Sequence, residues 1–169
     1  MSGLWRRLQR FPLLERDRTL LLVVTHSRSG TTQRLADAVI EGAIAASTGI
    51  EVQALGAFDA GPSDVLAAKG VILGTPARFG YMSGAMKDFL ERVYYPCIEK
   101  TGGLSWALFV KGDTDVAGAT SSVERIIAGL RWRRVLPVLE VVGSIEPEHL
   151  EAARELGGAM AAGLAMGMF

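Results

Sequence analysis

Short apolar runs alternate along the chain with segments in which apolar residues recur at helical spacing. Five runs are predicted to be strands, at residues 20–24, 51–55, 70–74, 106–110 and 135–142. The segments that follow them keep their apolar residues on one face, as amphipathic helices do. Because strands alternate with helices, right-handed crossovers predict a parallel sheet covered by helices on both faces. The predicted fold class is therefore α/β, a three-layer sandwich.

Two of the five runs are typical of edge strands. The run at 51–55 alternates apolar and polar residues, and the run at 135–142 contains Pro137, which has no N–H to donate to a ladder. The strand order 2-1-3-4-5 places both runs at edges, and we expect this five-stranded order. In such a sheet a ligand binds beyond the carboxyl ends of strands 1 and 3.

Residues 1–18 lie outside the alternating pattern and are predicted to form an N-terminal arm, while residues 19–169 form one domain. The arm intersperses arginines among apolar residues. We expect it to pack on the domain or on a neighbouring subunit, and association with a membrane surface is the alternative. Scattered arginines do not make a signal peptide, so a cytoplasmic location is expected.

Composition excludes several classes of protein. Lys and Arg total 18 and so do Asp and Glu, which gives a formal net charge of zero, whereas a nucleic-acid-binding protein needs a basic surface. Cys97 is the single cysteine and there are two histidines, so we expect no internal disulfide and no metal site. No apolar run reaches the ~20 residues of a membrane helix. We therefore expect neither nucleic acid, nor a metal, nor a membrane span.

The stretch THSRSGTTQ, residues 25–33, follows the first predicted strand. It lacks the lysine and the glycine spacing of a nucleotide P-loop, and it lacks G-x-G-x-x-G. Its hydroxyl side chains and Gly30 stand where a helix begins, and backbone N–H groups at a helix N-terminus bind anions. The loop fits a monophosphate. The alternative is a hydroxyl-rich helix cap with no ligand.

The stretch GTPARFGYMSGAMKDFLERVYYP, residues 74–96, follows the third predicted strand. It resembles the G-T-P-T-R-F-G-N-M-S segment of the flavodoxin-like NAD(P)H:quinone oxidoreductases of the Trp-repressor-binding-protein type, and of NADPH-dependent FMN reductases more broadly. The matching residues are Gly74, Thr75, Pro76, Arg78, Phe79, Gly80, Met82, Ser83, Gly84, Met86 and Lys87. The resemblance covers the first strand to the third helix, and it implies a flavodoxin-like fold that binds FMN.

By this resemblance, the first loop would hold the FMN phosphate and the second would border the isoalloxazine ring. The phosphate residues would be Ser27, Ser29, Gly30, Thr31 and Thr32, with Arg28 either pairing with the phosphate or pointing into water. The ring residues would be Pro76, Ala77, Arg78, Phe79 and Gly80. The loop after the fourth strand does not match the family, and it is assigned by position: Lys111, Gly112, Asp113 and Thr114.

Two residues depart from the family segment. Ala77 stands where the family has threonine, which removes a hydroxyl near the ring, and Tyr81 stands where it has asparagine. Tyr81 would line the substrate mouth or stack on the flavin, since aromatic rings suit flat ligands. Packing of Tyr81 against a neighbouring subunit is the alternative.

The resemblance implies an enzyme that passes electrons from NAD(P)H through FMN to a quinone or flavin acceptor, as a homo-oligomer. Since the flavin carries the redox chemistry, we expect no catalytic acid, base or nucleophile, and His26 is predicted to be structural. Two alternatives remain at this point. One is a flavodoxin-like one-electron carrier, and the other is a protein of this fold that has lost flavin binding.

Overall fold

The computed structural model describes residues 18–169, so the predicted arm lies outside the described residues except for Arg18. Strands and helices alternate through this range. In chain order they are β1 (Thr19–Thr25), α1 (Thr31–Ala45), β2 (Ile50–Gly56), α2 (Pro62–Ala67), β3 (Gly70–Arg78), β4 (Tyr81–Met82), α3 (Gly84–Cys97), β5 (Ser105–Gly112), α4 (Ala117–Leu130), β6 (Arg133–Arg134), β7 (Leu139–Val142) and α5 (Pro147–Ala165). No helix within residues 18–169 combines the length and hydropathy needed to cross a bilayer.

The sheet has the order β2-β1-β3-β5-β6, with β7 also paired to β5, and all of these strands run parallel. The predicted parallel sheet and its order are therefore confirmed. Of the fifth predicted strand only residues 139–142 form a strand, β7, because the segment around Pro137 leaves the ladder, and the two-residue strand β6 lies just before the predicted run. A further short strand, β4, pairs antiparallel with the end of β3. The described sheet thus has seven strands instead of five.

Two apolar layers cover the sheet, as the sandwich prediction requires. The side chains of β1 alternate, with Leu22 and Val24 in the layer of α2, α3 and α4, and Leu21 and Val23 in the layer of α1 and α5. Helices α1 and α5 pack closely, since a Cβ at Gly157 would lie 1.9 Å from the Val39 carbonyl oxygen. The strands are consequently buried on both faces, as in other parallel sheets.

The structure departs most from the predicted element bounds at the edge of the sheet where the carboxyl ends of the parallel strands lie. Strand β3 runs four residues beyond the predicted end at residue 74 and turns into β4. The start of α3 is fixed just after this turn, because the Ser83 hydroxyl accepts the Met86 amide at 3.2 Å and the Ser83 amide donates to the buried Thr75 hydroxyl at 3.0 Å. The extended strand and the anchored helix hold the β3–β4 hairpin in place at the carboxyl end of the sheet.

Candidate functional site

The first loop turns from β1 into α1 through Gly30, whose φ of 88° lies in the left-handed region that favours glycine. The Gly30 amide donates to the Ser27 hydroxyl at 3.0 Å, and the hydroxyls of Ser29 and Thr31 lie 3.3 Å apart. Thr32 is buried, while residues 28–30 are exposed. The loop thus gathers four hydroxyl groups at one helix end, as the sequence predicts.

The N-terminus of α1 is open to an anion. Its first turn receives no side-chain cap from Gly30 and carries no acidic residue. The first N–H groups of a helix have no intrahelical partner, and the helix dipole places positive charge beside them. With the surrounding hydroxyls and Arg28, this end of the helix has the donors that a phosphate monoester needs.

The second loop is a tight hairpin between β3 and β4. Arg78 pairs with Tyr81, and the two residues between them, Phe79 and Gly80, both have positive φ, 50° and 68°. Two left-handed residues make a type I′ turn, in which asparagine and glycine are preferred. Phe79 therefore holds an unfavourable backbone conformation for its side chain, and its ring is fully exposed.

Helix α4 supports this hairpin from behind. The Met82 amide donates to the buried Ser122 hydroxyl at 3.1 Å. Gly118 lies against the turn so closely that a Cβ there would be 2.0 Å from the Gly80 carbonyl oxygen. The contacts with α4 therefore fix the position of the hairpin, including its turn at residues 79–80.

Between the first loop and the hairpin lies an open cleft of about 570 Å³, which falls within the range of small-molecule sites. Its lining residues are His26, Arg28, Arg78, Phe79, Tyr81, Met82, Ser83 and Gly84. Four of them were predicted from the sequence: Arg28, Arg78, Phe79 and Tyr81. The other predicted residues of these two loops are outside the lining, and they are Ser27, Ser29, Gly30, Thr31, Thr32, Pro76, Ala77 and Gly80.

The cleft is positively charged. Arg28 and Arg78 line it, and no lining residue is acidic. The ion pairs among residues 18–169 include neither arginine. Partial burial lowers the pKa of His26, and the charges of Arg78 and Arg28 lower it further, so its imidazole stays neutral near pH 7. A cleft lined by two guanidinium groups and a neutral imidazole suits an anionic ligand.

The third loop lies outside the cleft lining. Lys111 is buried, 5% exposed, and its ammonium group donates to the Gly112 carbonyl at 2.8 Å and to Asp113 at 3.1 Å. A Cβ at Gly112 would lie 3.2 Å from the Ala77 Cβ, and Thr114 is exposed. The structure therefore places this loop against the hairpin, with the Lys111 charge bonded inside the loop itself.

Sequence reasoning did not assign His26 to the site, and it did not single out Phe58. Phe58 lies on the loop after β2, is 68% exposed, and meets the His26 ring edge-on with centroids 5.9 Å apart. The loop is held by Arg92 of α3, whose guanidinium donates to the carbonyls of Ala57 and Ala60, each at 2.6 Å. A phenylalanine among the Gly, Asp and Pro residues of this loop was the signal available in the sequence.

Comparison with known proteins shows that this chain is similar to flavodoxins and to a quinone dehydrogenase. The flavodoxin family model matches residues 23–157. An NAD(P)H dehydrogenase (quinone) from Acidithiobacillus ferrooxidans is 35% identical over a segment that covers 43% of this chain and 46% of that protein. A flavodoxin from Aquifex aeolicus is 37% identical, covering 43% of this chain and 39% of that protein. The chain spans less than half the length of these two relatives.

A solved structure of a flavodoxin from the domain Archaea has the same fold. It aligns with a TM-score of 0.76 over 87% of this chain and 99% of that chain, at 19% identity. At this level of identity the likeness concerns the arrangement of strands and helices. The sheet order described above is thus shared with a flavodoxin.

Proposed function

The chain belongs to the flavodoxin family, and from this premise we propose that it is an FMN-dependent oxidoreductase, which passes electrons from NAD(P)H to a quinone or flavin acceptor. Membership of the family implies a flavin cofactor, FMN. The enzymatic activity is supported by the resemblance of residues 74–87 to quinone and FMN reductases. It is also supported by the 35% identical relative that is named NAD(P)H dehydrogenase (quinone).

The residues present fit FMN. The open first turn of α1 and the hydroxyls of Ser27, Ser29, Thr31 and Thr32 would hold the phosphate, with Arg28 beside them. The hairpin, with Arg78, Phe79 and Tyr81, would border the ring in the cleft. This division follows from the chemistry of the two loops, since one offers amide and hydroxyl donors and the other offers aromatic surface.

When bound, FMN supplies a centre that takes two electrons as hydride from NAD(P)H and passes them on. In the net reaction the nicotinamide loses a hydride, and a quinone gains two electrons and two protons to become a hydroquinone, the second proton coming from solvent. The chain binds and orients the reactants. The positive charge of Arg78 in the cleft would stabilise the negative charge that develops there on reduction. His26 is neutral near pH 7 and adds no further charge. No side chain is needed as a general acid or base.

The observation that carries the proposal is the cleft, which lies between His26 and Arg28 of the first loop and a hairpin bearing two aromatic rings and an arginine. The test is anaerobic mixing of the FMN-loaded protein with NADH or with NADPH. We expect the flavin absorbance near 450 nm to fall with at least one nucleotide and to return when a quinone is added. Flavin that stays oxidised with both nucleotides would refute the proposed NAD(P)H-dependent activity.

The second candidate is a one-electron carrier, which the 37% identical flavodoxin favours. A carrier steered to a protein partner usually has a strongly charged surface, whereas this chain has a net charge of zero. Stepwise reduction with dithionite separates the two candidates. A carrier shows two resolved one-electron stages, and the proposed enzyme shows a direct two-electron change in the flavin spectrum.

We further propose that the chain is a homo-oligomer, because the fully exposed Phe79 and the partly exposed Tyr81 leave apolar surface at the mouth of the cleft. Sedimentation velocity of the FMN-loaded protein measures this directly. A species with the mass of one chain, 18.0 kDa, at micromolar concentration would contradict the proposal.

A further inference from the structure

We propose that the N-terminal arm, residues 1–17, docks on the outer face of α5 of its own chain. We define this α5 outer face as Glu155, Ala159, Ala162 and Met166. This end of α5 lies beside the first residue of β3, Gly70, at the edge of the sheet opposite to the cleft. The inference is therefore independent of the proposed function.

The α5 outer face is an exposed and mostly apolar stripe, with Glu155 at one end. Its four residues recur at i, i+4, i+7 and i+11, a spacing that aligns side chains on one side of a helix. Met166 is 66% exposed, and Met168 just beyond it is 64% exposed. The opposite side of α5 is buried against the sheet through Leu156, Met160 and Leu164. Large exposed apolar side chains that gather at one place mark an interaction surface, and methionine adapts readily to a partner.

Helix α1 does not cover this end of α5. The two helices run side by side in the same direction, since a Cβ at Gly42 would lie 2.0 Å from the Arg154 carbonyl oxygen. Further along both helices, a Cβ at Gly158 would lie 3.8 Å from the Ala46 Cβ. Ala46 already ends α1, whereas α5 continues to Ala165. The last two turns of α5 therefore extend beyond α1, and a further helical segment can pack beside them.

The arm joins the domain close to these turns. Leu21 of β1 pairs with Gly70, and a Cβ at Gly70 would lie 2.7 Å from the Leu164 side chain. Arg18, the first described residue, is three residues before Leu21. Residues 12–17 span up to about 20 Å when extended. Residues 4–11 can therefore reach the α5 outer face of the same chain.

The apolar residues of the arm have a matching spacing. Leu4, Leu8 and Phe11 recur at i, i+4 and i+7, which in a helix forms one apolar stripe. An isolated helix of this length is marginal in water, so such a segment gains its stability by packing its apolar stripe on another surface. The small side chains of Ala159 and Ala162 let the large residues of the arm approach α5 closely.

The charges of the two surfaces are complementary. Residues 1–17 carry four arginines and two acidic residues, a net charge of +2, so the remainder of this neutral chain carries −2. Glu155 is exposed and takes part in no ion pair between described residues. It is available to an arginine of the arm. An anionic membrane would attract the arm as well, but it would repel the negatively charged remainder of the chain.

The first test joins the two surfaces by a disulfide in the full chain. Leu8→Cys is combined in turn with Ala159→Cys, Ala162→Cys and Met166→Cys. The control combines Leu8→Cys with Tyr95→Cys, at an exposed position of α3 in the helix layer on the other side of the sheet. The native cysteine is buried and does not compete.

After mild oxidation we expect a disulfide within one chain for at least one of the three pairs and not for the control. The reason is that the two Cα atoms must approach within about 7 Å. An equal yield in the control, a disulfide between two chains, or no disulfide in any of the three pairs would overturn the inference.

The second test uses mass spectrometry to measure how fast trypsin cleaves the folded chain after Arg7 and Arg10. This rate follows the population in which the arm is undocked. Met166→Glu should raise the rate at least about fivefold, because a carboxylate replaces an apolar contact. Glu155→Gln should raise it about twofold, the effect of one exposed ion pair. Tyr95→Glu is the matched control, since it places the same charge at an exposed position of α3, and it should leave the rate unchanged. Equal rates in Met166→Glu and the unmodified chain would contradict the docking.

Flotation with vesicles of phosphatidylcholine and phosphatidylserine separates docking from attachment to a membrane. We expect the unmodified full chain to stay in solution, because α5 occupies the apolar stripe of the arm. Flotation of the chain with the vesicles would place the arm on a membrane surface and overturn the inference. None of these measurements requires FMN or NAD(P)H, so the docking and the proposed function are tested separately.

Discussion

Phe79 combines two unfavourable properties in one residue: a left-handed backbone, with φ of 50°, and a ring wholly in solvent. Such a conformation costs about 1–3 kcal/mol and persists where the surrounding structure imposes it, often at functional sites. Here the two-residue turn between Arg78 and Tyr81 imposes it. Phe79 therefore lowers the stability of the fold, and this cost agrees with a role of its ring in ligand binding at the cleft.

Replacing Phe79 with asparagine separates stability from binding. Asn-Gly is the preferred sequence for this turn, so Phe79→Asn should raise the free energy of unfolding by about 0.5–1 kcal/mol, measured with urea. The same variant should weaken FMN binding, measured by quenching of FMN fluorescence. Arg131→Asn is the control, because Arg131 also has a left-handed backbone, with φ of 58°, at the end of α4. It should stabilise the chain without changing FMN affinity, and stronger FMN binding by Phe79→Asn would contradict this role.

Gly30 tests the phosphate loop. With φ of 88° and no atom within 4 Å of a would-be Cβ, valine at this position meets backbone strain and projects into the space where the phosphate would approach. Gly30→Val should lower the free energy of unfolding by about 1–3 kcal/mol and weaken FMN binding at least about tenfold. Gly49→Val, at φ of 75° with equally open surroundings after α1, should lose similar stability but keep FMN affinity. Equal FMN affinity in the two variants would refute the phosphate assignment.

His26 reports the charge in the cleft through its pKa. Burial lowers this pKa below the ordinary value of 6.5, and Arg78 and then Arg28 add to the effect. Below pH 6.5 the unfolded chain takes up this proton more readily than the folded one, so stability falls as pH falls through this range. NMR titration should give a midpoint below 6.5 that rises partway in Arg78→Gln and is unchanged in Arg125→Gln. A midpoint that does not respond to Arg78→Gln would show that the guanidinium lies far from the imidazole.

At the scale of the elements, the hairpin depends on its contact with α4. Gly118→Ala places a Cβ 2.0 Å from the Gly80 carbonyl oxygen, so the hairpin or the helix must move. Although alanine favours a helix, overpacking should dominate and lower the free energy of unfolding by about 1–3 kcal/mol. Gly158→Ala in α5 meets its nearest atom at 3.4 Å, and should instead gain about 1 kcal/mol. Urea unfolding of both variants measures the difference, and a stabilised Gly118→Ala would contradict the packing described here.

The sequence predicts long, strongly patterned elements and misses short ones. The buried run of β3 and the Ser83 cap of α3 are read from residue types alone, because burial on both faces and a hydroxyl before a helix are local signals. Strand β4 has two residues, too few for a periodic pattern, and its turn has phenylalanine where the usual signal is asparagine. The break between β6 and β7 was visible as Pro137, although it was interpreted as a property of one edge strand.

Some residues of the candidate site are likewise predictable from the sequence and others are not. Loops after β1 and β3 are predictable because the strand order alone brings them together. The placement of Phe58 is not predictable, since its loop is held by hydrogen bonds from Arg92, which lies 34 positions further along the chain and reaches the loop only through the packing of α3. The bonding of Lys111 within its own loop likewise depends on side-chain directions that no spacing encodes.

For the molecule as a whole, cofactor binding should appear as a gain in stability. A ligand that binds only the folded chain adds about 2.7 kcal/mol at a free concentration of about a hundred times Kd. For a domain of this size that raises Tm by about 5–10 °C. Riboflavin, which has the same ring but no phosphate, cannot use the open end of α1. At equal concentration it should raise Tm by only about 1–2 °C, if loss of the phosphate weakens binding about a hundredfold.

Scanning calorimetry with matched FMN and riboflavin concentrations therefore tests the fold, the helix end and the cleft together. Equal shifts with the two compounds would place the affinity in the ring contacts, and would refute the phosphate-binding role of residues 27–32. The absence of a shift with either compound would show a chain of this family that has lost flavin binding. A large shift with FMN alone would support the proposed arrangement, in which the phosphate would contact the loop after β1 and the ring would contact the hairpin after β3.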